Sequence, residues 1–165
     1  MTSSWKRTLL ILGILAGTSL ISSGSPSQQD TGKLLEGLGY TTEVKKTTDG
    51  DDYWRFKAEG AKYNYSIDAI FSTDKRFLYL TIYFKDLSSE DKIPASAMLG
   101  LLKANDNNTP YAFGYVEKQK RFALTYPMDS RDLNPTKMRK ALTSIMALAD
   151  ANAPHWDPDL WGKNH

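Results

Sequence analysis

From Phe77 to Phe84, the only side chain that is neither aliphatic nor aromatic is Thr81. With the two-residue period of a strand, Leu78, Leu80, Ile82 and Phe84 fall on one face and Phe77, Tyr79, Thr81 and Tyr83 on the other. A strand apolar on both faces belongs inside a sheet, so this one is expected to be interior and covered on both sides. Two earlier segments alternate more sharply. Trp54, Phe56 and Ala58 oppose Arg55, Lys57 and Glu59, and Tyr63, Tyr65, Ile67, Ala69 and Phe71 oppose Asn64, Ser66 and Asp68. The links Gly60-Ala61 and Ser72 to Lys75 are too short for parallel crossovers, which makes these strands an antiparallel meander.

The remaining elements arrange themselves around that meander. Leu34, Leu35 and Leu38 mark a short helix with Asp30 or Thr31 as its cap and Gly39 as its stop. Tyr40 to Lys46 is a modest strand, and Thr48 to Asp52 carries the Asp-Gly pair of a hairpin turn. A second helix runs from Pro94 to Ala104 with Met98, Leu101 and Leu102 as its buried stripe. Tyr111 to Val116 and Arg121 to Tyr126 form a hairpin. Asn134 caps a long helix with Pro135 in its first turn, and Met138, Leu142, Ile145 and Ala149 lie on one side of it. The expected fold is therefore α+β: an antiparallel sheet of about six strands, with helices in the order α-β4-α-β2-α.

The 165 residues make one domain with short appendages. Lys6 and Arg7, the apolar run from Leu9 to Gly17 and the small residues from Ser22 to Ser25 have the layout of a secretory signal peptide. The expected organisation is a signal peptide over 1–25, a linker over 26–30, the domain over 31–151 and a Pro/Trp-containing tail over 152–165, where Pro154 and Pro158 are expected to end regular structure. The apolar run is shorter than a bilayer span, so membrane contact is expected only through an uncleaved leader, and the mature protein is expected to be secreted or periplasmic. Loss of Lys6 and Arg7 with the leader would remove the whole net charge of +2. No clustered basic surface for nucleic acid is apparent.

At Leu101-Leu102-Lys103-Ala104-Asn105 and from Arg121 to Met128 the chain resembles the YbjN-type family, whose domains are similar in fold to type III secretion chaperones. Asp129 to Pro135 supplies the turn, and Lys137 to Asp150 the amphipathic helix, of that pattern. The similarity covers about Thr31 to Ala151. It implies a bacterial protein-binding domain, often dimeric. Familiar members are mostly cytoplasmic, whereas this chain carries an export signal and an aromatic tail.

Few residues are available for catalysis. The chain has no cysteine, and its two histidines, His155 and His165, both lie in the tail. Asp49, Asp51 and Asp52 lack the EF-hand spacing and its later glutamate. No pair of carboxylates is singled out by spacing. No catalytic residue, metal or cofactor is expected. The aromatic residues carry more information: tyrosine joins apolar area to a polar tip, which suits a sheet face meeting a partner as well as core packing. Tyr79 and Tyr83 are the partner-binding candidates, because their strand has another apolar face for the core. Trp156 and Trp161 are the candidates in the tail, which either docks back onto the domain, enters a neighbouring subunit or serves as a recognition motif.

The leading expectation is an exported, non-enzymatic domain that binds a protein or extended peptide, with a homodimer also open. A carrier of a small apolar ligand is one alternative, and a carboxylate-based hydrolase is the other.

Overall fold

A computed structural model describes residues 28–162. The leader expected over 1–25 lies outside them, as does the first part of the linker. The elements are α1 (Gln28–Gly37), β1 (Thr42–Lys46), β2 (Asp52–Glu59), β3 (Asn64–Phe71), β4 (Phe77–Asp86), α2 (Ala95–Asn107), β5 (Ala112–Val116), β6 (Arg121–Asp129), α3 (Pro135–Ala151) and α4 (Ala153–Trp156). The six strands form one antiparallel sheet in the order β1-β2-β3-β4-β6-β5. The α+β class, the six strands and the sequence of elements through α3 are as the hydrophobic pattern required.

Register explains which side chains meet. Phe56, Ile67, Ile82, Leu124 and Phe113 lie abreast across five strands. They join Leu35, Leu101, Met138, Leu142 and Ile145 of the helices in a single buried core. Helix α3 starts where the sequence says it should: Asn134 Oδ1 accepts the Lys137 N–H at 2.9 Å, and Pro135 follows in the first turn.

Three expectations are corrected. β4 is interior within the sheet, but only its Leu78 side is covered: among the described residues the helices join the core on that side, and Phe77, Tyr79 and Tyr83 are absent from it. These three are half-buried by lateral neighbours rather than by a second layer. In α2 the buried stripe is Ala97, Leu101 and Ala104, whereas Met98 and Leu102 face outward. The chain after α3 also keeps regular structure, with α4 followed by a 3-10 turn at Pro158–Leu160.

That last segment packs as part of the domain. Trp156 is 4% exposed, and its Nε1–H donates to the Ala149 carbonyl at 2.7 Å. Trp161 is half-buried and donates to the His155 carbonyl at 3.3 Å. The His155 ring fills the space where Gly100 of α2 would otherwise carry a Cβ, which locks α4 against α2.

Candidate functional site

The face of the sheet away from the helices is built around one polar row. Arg55, Asp68, Thr81 and Thr125 are neighbours across β2, β3, β4 and β6. Arg55 forks onto Asp68 with two bonds of 2.7 Å, and Thr81 and Thr125 share a hydroxyl contact of 3.2 Å. Asp68 is only 2% exposed although no helix among the described residues covers it, because Arg55 and the flanking strands close over its carboxylate. Its hydrogen bond holds the guanidinium well above its usual proton affinity.

Aromatic side chains flank this row. On one side Tyr79 lies between Ile70 of β3 and Pro127 of β6, with Phe77 tilted beside it at 6.4 Å between ring centroids. On the other side Tyr83 lies beneath the Arg121 guanidinium, 4.8 Å from the ring centroid. Burial raises the Tyr83 phenol above its ordinary value, helped by the Asp68 charge. Tyr79 and Tyr83 therefore share one uncovered face, where the alternation of β4 placed them. Trp156 and Trp161 are not on it; both belong to the packed C-terminal segment.

The two edges of the sheet differ. At β5 the Asn105 side chain accepts the Phe113 N–H at 2.6 Å and donates to the Phe113 carbonyl at 2.9 Å. Its amide thus takes the place of a neighbouring strand at that residue. At the other edge β1 pairs only with Asp52 to Phe56, so the last three residues of β2, Lys57 to Glu59, extend past it. An open groove of about 500 Å³ lies there, lined by Tyr40, Glu43, Arg55, Lys57 and Ser66 among others. An added strand has backbone to pair with on this side.

Sequence reasoning missed the Arg55–Asp68 pair, the Arg121 cover on Tyr83 and the Asn105 clamp. Strand alternation does place Arg55 and Asp68 on the same face as Tyr79. Only the register shows that they are opposite one another. Among the described residues, no group of three or more His, Cys, Asp or Glu side chains is placed to hold a metal ion.

No family model matches the chain, and no curated protein matches it. A solved structure does: a chain of the HopA1–SchA chaperone–effector complex, at a TM-score of 0.50 and 10% identity, covering 76% of this chain and 97% of that one. The fold resembles that of a chain in this complex. At this identity the likeness concerns the course of the backbone, and the side chains of the uncovered face are this chain's own.

Proposed function

We propose that this chain is a non-enzymatic domain that captures an extended segment of a partner protein across the uncovered face of its sheet and the β1–β2 edge. One observation carries the reading: a central strand presents Phe77, Tyr79 and Tyr83 on a face that no described helix covers. Half-buried aromatics beside a partly desolvated ion pair are the kind of surface on which a few side chains dominate binding. The chaperone-like backbone is compatible with a protein partner, and the residues quoted for the YbjN-type resemblance support kinship with that group. We further propose export of the mature form, with the leader as its signal.

The test pairs stability with capture. Changing Tyr79 and Tyr83 together to Ser should leave the melting temperature within a few degrees, because the core closes without them. It should weaken capture of envelope proteins by about thirtyfold, the effect of about 2 kcal/mol. A collapsed melting temperature, or unchanged stability with unchanged capture, removes this face from the reading.

A homodimer has its own support. Among the described residues the exposed large hydrophobics are Val44, Met98, Leu99 and Leu102, and the last three sit together on α2. Leu102 is 61% exposed, one turn from Met98. A carrier of a small apolar ligand has less behind it. The space between sheet and helices is filled by Ile67, Leu80, Ile82, Leu124, Leu142 and Ile145, each fully buried.

A further inference from the structure

The β3–β4 ladder ends early. Its last pair is Ile67 with Ile82, although β3 extends back to Asn64 and β4 continues to Asp86. Over the same stretch β4 changes register against β6, so that between Tyr83 and Asp86 it carries one residue more than its partner. This is the signature of a β-bulge, which bends its strand and interrupts pairing. The two strands part, and a cleft of about 260 Å³ lies between them.

The C-terminal segment lies across the gap. Trp156 stacks on Phe84 beneath it. Asp157 accepts the Tyr63 hydroxyl at 3.1 Å, on the β3 side, and Asp159 pairs with Lys85 of β4 at 2.6 Å. The cleft therefore has aromatic walls, Tyr63 and Tyr83, and two carboxylates within its lining. Asp157 is only 8% exposed, and the donors to its carboxylate, the Tyr63 hydroxyl and the Asp159 N–H, are both neutral. Asp157 is in none of the ion pairs among the described residues, although its charge reaches Lys85. Among the described residues, the sole cation in the lining is Lys85, whose exposed pair with Asp159 contributes little and is readily exchanged. Burial first, and then Asp157, Asp150 and Asp159, raise the Tyr63 phenol, consistent with a negative field at this end of the sheet.

The geometry points to a receptor for one basic side chain, lysine or arginine, of the extended partner segment. The aromatic walls pack against the methylenes of such a side chain, and Asp157 offers the countercharge. Ser66 and Tyr83 line the cleft and also belong to the uncovered face. A segment lying over Tyr79 and Tyr83 thus passes the mouth of the cleft and can lower a side chain into it. This inference rests on the peptide-capture reading and adds to it the chemistry of one position in the captured segment.

A positional-scanning library of short synthetic peptides tests it on the full chain and on three variants. The expected result is a preference for lysine or arginine at one position, with norleucine and glutamate disfavoured there. Asp157→Asn should lower affinity for the selected lysine peptide by about tenfold. Lys85→Met, on the surface, should raise it by removing the internal competitor. Tyr79→Ser should weaken all peptides while leaving the basic preference in place. Selection of peptides with no basic position, or a basic preference indifferent to both Asp157→Asn and Lys85→Met, overturns the cleft assignment and leaves the peptide reading standing. Selection of no sequence at all overturns both. N-acetyl-lysinamide binding as tightly as the lysine peptide overturns the extended segment as the source of the cation.

Discussion

The Trp156 indole lies nearly parallel to the Phe84 ring, with 4.1 Å between centroids and 12° between planes. Tyr63 meets the same indole edge-on at 4.9 Å. A helix of four residues thus inserts a large side chain between the sheet and the end of α3. Trp156→Ala should cost about 3–5 kcal/mol, from lost burial and the cavity left behind. Against a typical stability of about 5–15 kcal/mol, the urea midpoint should fall sharply. An unchanged midpoint would mean that α4 is not part of the core.

The Arg55–Asp68 pair makes a different prediction. Arg55→Met leaves the Asp68 carboxylate enclosed without its cation, whereas Arg55→Met with Asp68→Leu removes both charges. The single change should destabilise by about 2–3 kcal/mol, at or below the low end for a broken buried pair because the Arg55 side chain is 40% exposed. The double change should recover most of that loss. Equal loss in both, measured by denaturant unfolding, would assign the effect to packing rather than charge.

Alkaline pH gives a spectroscopic test. Burial raises the phenols of Tyr63, Tyr65, Tyr83, Tyr111 and Tyr115, with Tyr115 pushed up to about 12 by burial and the nearby Glu90 charge. A raised phenol favours the fold below its unfolded value near 10, and that contribution disappears as pH climbs through the folded value. Tyrosinate absorbance should therefore rise in two phases, the later one coinciding with loss of tertiary structure. A single phase near pH 10 with the fold intact would contradict the burial of these rings.

The α2 surface predicts assembly. Light scattering should find a dimer in the parent protein, and Leu99→Glu with Leu102→Glu should shift it to monomer without altering the circular dichroism. A parent protein that is monomeric at high concentration would leave these leucines as isolated surface residues.

Much of the fold was legible because alternation, turn chemistry and caps agree along the chain. β2 and β3 alternate, and Asn134-Pro135 marks the start of α3. Where the reading failed, the deciding contacts are distant in sequence. Helix α2 carries two apolar stripes, and Met98 with Leu102 is the more hydrophobic. The chain buries Ala97, Leu101 and Ala104 instead, because α4 comes close at Gly100, where the His155 ring leaves no room for a Cβ. A tail read as irregular offers no reason to prefer that side. Asp150 is a similar case: it accepts the Tyr65 hydroxyl at 2.6 Å and the Ala61 N–H at 2.8 Å, tying the end of α3 to the β2–β3 turn. Nothing in a helical period announces that bond. β4 misled in another way. Two apolar faces imply two covering layers only if nothing shields them laterally, and Arg121, Ile70 and Pro127 do so here.

The Asn105 clamp on Phe113 also governs stoichiometry. A sheet with two open borders can accept a strand at each and pass pairing from molecule to molecule, which is how fibres grow. With the β5 border occupied at Phe113, its second residue, by a side-chain amide, pairing that begins at β1 has no equivalent outlet on the far side. Each domain then takes one strand, and assembly stops at a closed complex instead of propagating.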